Sequence, residues 1–191
     1  MGREGENYMD KQAYLAQIDR VIAAGPYKAD WGSLSRHATP GWYQDAKLGI
    51  FIHWGIYSVP GYHNEWYSRE MYDPKPPSYR YHVAHYGKPD QVGYKDFIPM
   101  FKGEKFDPAA WAKLFRAAGA QYVMPVAEHH DGFAMYQTDF NRWNSVEMGP
   151  HQDVLGRLKR ACQGEGLVFC ASNHRAEHYF FMNNGRRIPS D

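Results

Sequence analysis

The sequence predicts an α/β fold built on a parallel sheet, and three observations predict it. Apolar β-like runs at Lys47–Ile52, Gln121–Ala127 and Leu167–Ala171 are separated by helix-like segments, giving the order β-α-β-α-β. Each run is continuously apolar rather than alternating, the pattern of strands covered on both faces. Each also ends in a polar and aromatic burst: His53-Trp54-Gly55, then Glu128-His129-His130-Asp131-Gly132-Phe133, then Ser172-Asn173-His174-Arg175. Parallel α/β proteins carry their chemistry where strands end and loops begin. Three histidine-bearing ends therefore predict one shared pocket. Pattern alone leaves a doubly wound sheet and a barrel both open. No Gly-rich phosphate loop follows the first run, which counts against nucleotide binding.

The elements follow in order. Lys11–Ala24 has Leu15, Ile18 and Ile22 at helical spacing and stops at Gly25-Pro26, so it reads as a leading helix. Trp31–Asp45 reads as a loop containing Pro40-Gly41, before the first strand. Ile56–Glu104 is long, rich in Pro, Tyr and His, and weakly periodic. Loops of that length are usually functional or disordered, and the aromatic density favours an ordered loop over a site, with a short helix near Tyr94–Phe101. Asp107–Ala118 is the clearest helix: Asp107 caps it, Pro108 fits the first position, and Phe106 with Trp111 forms a hydrophobic staple. Trp111, Leu114, Phe115 and Ala118 make its expected apolar stripe, and Gly119 ends it. Asp153–Gln163 is the second crossover helix, with Val154, Leu155, Leu158 and Cys162 inward and Arg157, Lys159 and Arg160 outward.

The 191 residues suffice for a core-forming domain, and 43% hydrophobic with 23% charged residues is ordinary for a globular protein. A net charge of +1 with interspersed signs points to no nucleic-acid or membrane-surface partner. The 16% aromatic content, with 15 Tyr and 6 Trp, is high, and many of these rings fall between Trp54 and Tyr94. Flat faces in such a region suit sugars. The 2 Cys, Cys162 and Cys170, form no C-x-x-C pair and read as small buried residues. Met1–Asp10 is acidic and polar with no signal core, and no apolar run reaches membrane-spanning length. The expected location is cytoplasmic.

Neutral imidazole both donates and accepts, so His53, His129 and His130 suit a hydroxyl-rich ligand. Glu65 would accept from hydroxyls and Trp66 would offer a face. Against this stands the alternation of side chains along a strand, which turns one of two adjacent histidines away from a pocket. Asp131 before Gly132 reads as a turn former bonded to backbone. His174-Arg175-Ala176-Glu177-His178 matches the H-x-x-E-H pattern of inverted zinc peptidases, with Glu177 as base, and makes a zinc hydrolase a less favoured alternative.

Together these residues resemble the α-L-fucosidases of glycoside hydrolase family 29. The matching stretches are Leu48-Gly-Ile-Phe-Ile-His-Trp-Gly-Ile-Tyr-Ser-Val-Pro-Gly-Tyr, Asn64-Glu-Trp-Tyr-Ser-Arg and Phe106-Asp-Pro-Ala-Ala-Trp-Ala-Lys-Leu-Phe. They continue through Ala118-Gly-Ala-Gln-Tyr-Val, His129-His-Asp-Gly-Phe and Trp143-Asn-Ser-Val-Glu-Met-Gly-Pro. The resemblance implies a (β/α)8 TIM-like barrel, here incomplete with about three of eight β/α units. It implies a helical extension over residues 1–30 and the N-terminal portion of a glycosidase barrel over 31–191.

It implies retaining exo-hydrolysis of terminal α-L-fucose, a fucosylated oligosaccharide or glycoconjugate as partner, and no cofactor or metal. His53, Glu65, Trp66, His129 and His130 fall on the positions that hold the sugar. The resemblance puts the Asp nucleophile on a fourth strand and the acid/base later still, so both are expected beyond Asp191. No catalytic residue is then expected within these residues, and the chain alone is expected to be inactive. Barrels of this kind take about 250 residues, in line with that expectation. A fucose-binding protein without catalysis is the alternative reading. Two local departures from the family are Glu128, where many members carry Lys, and Ser172-Asn173-His174, where an aromatic is expected.

Overall fold

The computed structural model describes residues 10–175. It divides into two compact units, the described residues up to Asp45 and those from Ala46 onward. The first unit holds α1 (Lys11–Ala24), α2 (Trp31–Leu34) and most of α3 (Gly41–Ala46). The Asp10 carboxylate caps α1 by accepting from Gln12 N at 2.8 Å. No residue of α1 is buried, and its apolar positions Leu15, Ile18 and Ile22 are exposed. Asp30 caps α2 through Ser33 N, so part of the expected 31–45 loop is helical.

The second unit is built on parallel strands. β1 (Gly49–Ile52) pairs in parallel with β2 (Tyr122–Glu128), in a register that sets Gly49 against Tyr122 and Ile52 against Pro125. On the other side of β2 lie β3 (Val168–Phe169) and β4 (Ser172–Asn173), both parallel to it. The third strand is thus split. Val126 opposes Ser172 and Glu128 opposes Asn173, so two residues of β2 advance against one of β4, a bulge that re-aims the chain entering the site. Strand order follows chain order, β1-β2-β3. The central strand is buried from Pro125 to Glu128, whereas β1 and β3 are only partly covered. The described chain is therefore a partial parallel sheet of an α/β fold.

Two crossover helices lie where the sequence predicts them. α6 (Pro108–Ala117) is capped by Asp107, whose carboxylate accepts from Ala110 N at 3.0 Å. The staple rings Phe106 and Trp111 meet edge-on at 5.2 Å, and Trp54 packs on both. The inward face is rotated from the expected stripe. Pro108 and Ala112 are buried, Trp111 and Phe115 are half-buried, and Leu114 is 66% exposed. Trp111 and Phe115 still pack against the hydrophobic cluster from the edge of that face. α7 (Val154–Gly164) is capped by Asp153 through Gly156 N at 2.8 Å and buries Val154, Leu158 and Cys162. The two helices pack on each other. Both cysteines are free.

The segment between β1 and α6 departs most from expectation. It carries α4 (Tyr67–Glu70), α5 (Pro77–His85) and a 3-10 helix over Tyr94–Met100, near the expected short helix. Ile56, Tyr67, Met71, Tyr94 and Phe97 are fully buried and belong to the same hydrophobic cluster as Val123, Phe133 and Leu158. Of the Tyr and Trp residues from Trp54 to Tyr94, Tyr57, Tyr67, Tyr72 and Tyr94 are buried and the others half-buried. The segment reads as a loop because its helices are too short to establish a period. No helix among the described residues is long and apolar enough to cross a membrane.

Candidate functional site

The parallel pairing brings three strand ends side by side. His53 follows the last residue of β1, His129 and His130 follow β2, and His174 follows β4. The His174 amide donates to Glu128 O at 2.9 Å, which seats the third end against the second. The rings form one cluster: His53–His129 centroids lie 5.6 Å apart, His53–His174 5.5 Å, His129–His174 4.7 Å and His130–His174 5.4 Å. His129 and His130 are themselves 4.7 Å apart and nearly perpendicular. Both histidines of the pair join the cluster, although alternation predicts that one turns away.

Trp66 stacks on His130 with centroids 4.3 Å apart and planes 21° from parallel. Trp66 is contacted by neighbours on both sides in sequence, at its backbone amide and over its ring. Asn64 Oδ1 accepts from Trp66 N at 2.8 Å, and the Arg69 guanidinium sits 6.0 Å from the ring centroid. Asn64 is thus a turn residue that orients its neighbours. Glu65 is half-buried and, with His53, Tyr57, Tyr62 and His63, lines a cavity of about 310 Å³. A roomier cleft of about 600 Å³, lined by Lys95, Lys102, Trp143 and His151, lies away from the strand ends. The smaller cavity is the better candidate because His53, at the end of β1, lines it, and this architecture carries its chemistry at strand ends.

Electrostatically the site favours neutral imidazole at His129 and His174. Burial, reinforced by His130, His174 and His53, pushes His129 down to about 3. Burial also lowers His174, with His130 and His53 adding to it and Glu65 opposing. Behind the rings, Asp131 is fully enclosed. It accepts from Phe133 N at 3.0 Å and from the Tyr94 hydroxyl at 2.9 Å, as a turn former with an added partner. Burial is the larger influence and pushes its carboxyl up to about 7. Glu128, also buried, accepts from Arg175 at 3.4 Å and from the Tyr136 hydroxyl at 3.5 Å.

Three polar atoms of the site are buried with no hydrogen-bond partner among the described residues: Tyr57 Oη, His129 Nδ1 and His130 Nδ1. A buried polar atom without a partner costs about 1–3 kcal/mol. Of the three residues, Tyr57 also lines the cavity shared by His53 and Glu65. Tyr57 is the residue that sequence reasoning passes over. It lies four positions after His53 in a turn-rich stretch, and only the fold shows its ring 5.2 Å from that of His129. His174 belongs to the cluster, whereas Glu177 and His178 of the H-x-x-E-H pattern lie outside the described residues. Asp191, beyond which the nucleophile and the acid/base are expected, lies outside the described residues as well.

Fold and site together define a parallel α/β protein whose candidate site lies at the carboxyl ends of its strands, where imidazoles cluster and an indole stacks on one of them. A family model described as Alpha-L-fucosidase matches residues 14–187. Human tissue alpha-L-fucosidase is 39% identical over 161 residues, covering 82% of this chain and 34% of that protein. The mouse tissue enzyme is 38% identical over 154 residues, covering 78% and 34%. The structure of Thermotoga maritima alpha-fucosidase superposes with a TM-score of 0.71 at 43% identity, covering 77% of this chain and 37% of that one. The same values hold for its complex with fucose. The chain belongs to the alpha-L-fucosidase family. It spans about a third of the length of the curated relatives it matches.

Proposed function

We propose that this chain forms the hydroxyl-reading half of the sugar pocket of a retaining exo-α-L-fucosidase with a (β/α)8 barrel. In this reading His53, His129 and His130 bond fucose hydroxyls, Glu65 accepts from another, and the Trp66 indole bears on the ring. The observation that carries the reading is the ring cluster of His53, His129 and His130 at the strand ends, with Trp66 stacked on His130 and with His53, Tyr57 and Glu65 lining that cavity. A pyranose supplies hydroxyls that both donate and accept, as a neutral imidazole also does. The substrate is terminal α-L-fucose on an oligosaccharide or glycoconjugate.

Retaining hydrolysis takes two carboxyl groups about 5–5.5 Å apart, one as nucleophile and one as acid/base. Glu65 is the one acidic residue lining the cavity among the described residues. Asp131 and Glu128 are committed to buried partners. This supports a chain that binds the sugar but does not by itself cleave it, with the carboxylate pair of the whole enzyme supplied from beyond Asp191. Calorimetric titration of the 191-residue chain tests the reading: L-fucose binds, D-fucose does not, and Trp66→Ala or His130→Ala weakens L-fucose at least tenfold. An aryl α-L-fucoside stays intact under the same conditions. Absence of L-fucose binding by the folded chain contradicts the pocket, and measurable hydrolysis contradicts the missing carboxylate pair.

A further inference from the structure

His53, His129 and His174 belong to three different strand ends, yet each offers one ring nitrogen such that all three atoms lie within 4.8 Å of one another. Imidazole binds zinc at about 2.0–2.1 Å, so three nitrogens on one tetrahedral ion sit about 3.3 Å apart. The trio therefore needs to close by about 1.5 Å at most, 4.8 less 3.3. His53 is exposed and can supply that movement, while His129 is buried and fixed. We propose that these three imidazoles form a binding site for a divalent transition-metal ion of the zinc class.

The surroundings fit such an ion. His174 Nε2 hydrogen-bonds the Ser172 hydroxyl at 2.8 Å, the outer contact that orients a ligating ring. Glu65 interacts electrostatically with His174 and supplies negative charge at the site. The nearest cationic side chain in sequence, Arg175, is drawn to Glu128 at 3.4 Å. Three imidazoles without thiolates suit Zn²⁺, Ni²⁺ or Cu²⁺ rather than Ca²⁺ or Mg²⁺, and leave a fourth position for water. This ligand set differs from the linear H-x-x-E-H pattern, sharing only His174 with it. Two of the three ligands are also proposed sugar readers, so the ion acts as an antagonist of fucose. That consequence alone rests on the sugar reading.

The test is a calorimetric titration of the tag-free 191-residue chain with ZnCl₂ in a non-coordinating buffer, with no sugar present. One ion binds per chain. His174→Ala and His53→Gln, each checked for folding by circular dichroism, weaken it at least tenfold. His37→Ala, an exposed histidine elsewhere, leaves affinity unchanged. Co²⁺ gives the visible absorption of a tetrahedral site, which both site variants lose. Absence of 1:1 binding, or binding that survives both site substitutions, overturns the proposal. Zinc binding with no L-fucose binding in a separate metal-free titration removes the sugar reading and leaves the metal site standing. L-fucose binding without zinc binding does the reverse.

Discussion

Among the histidines, satisfaction of the ring nitrogens separates structure from function. His82 is fully buried, with Nε2 donating to Val92 O at 2.9 Å and Nδ1 accepting from the Tyr67 hydroxyl at 3.0 Å. Both nitrogens are used, so it is a core residue in a single neutral tautomer. His129 and His130 instead keep Nδ1 unpartnered among the described residues. Tyr67→Phe strands the His82 nitrogen and should lower unfolding free energy by about 1–3 kcal/mol, read by urea denaturation. Burial lowers the His82 pKa. Its unfolded form, ordinarily near 6.5, therefore takes up a proton before the folded form does. Stability is kept above that value and lost as pH falls from it toward the lower folded pKa. The urea midpoint should drop between about pH 7.5 and about pH 5.5, and His82→Gln should shrink that drop. The strand-end histidines are legible in sequence because a polar burst breaks an apolar run. Tyr57 is not, since its approach to His129 depends on how Ile56–Ser58 turns after β1.

At the scale of elements, local chemistry is legible where one residue fixes one contact. Asp107 and Asp153 both cap the helices they precede, and Phe106 meets Trp111 as the spacing predicts. Replacing Asp153 by Ala should cost about 1 kcal/mol, measurable by thermal unfolding. Facing and interruption are less legible. The face that α6 buries is Pro108 and Ala112, with Trp111 and Phe115 only half-buried, which apolar periodicity alone does not record. The third strand splits into β3 and β4 because of a bulge set by its partner β2, which no pattern within residues 167–173 records. Gly149 shows another long-range constraint. It holds a φ of +66°, and a Cβ there would lie 2.9 Å from Phe101 O, against the 3-10 segment that carries core aromatics. Gly149→Ala should therefore lose about 1–2 kcal/mol from the left-handed backbone, with the clash adding to it. A smaller loss in the same thermal assay would mean that the loop shifts freely.

The whole described second unit is a sheet whose central strand is covered and whose flanking strands are partly open, with a site at the open ends of all three. Its α/β class is legible from the order of apolar runs. Its long connection is not, because Tyr67, Tyr94 and Phe97 are spaced by short helices without a common period yet fill the core. Family membership explains why the motif series and the strand-end cluster coincide. The central claim is that the strand-end imidazoles read the hydroxyls of L-fucose while the core histidine does not. Side-chain ¹H–¹⁵N NMR of metal-free, histidine-labelled protein titrated with L-fucose tests it most directly. The account predicts saturable shifts at His53, His129 and His130 and none at His82. No saturable shift at the three, or an equal one at His82, would contradict it.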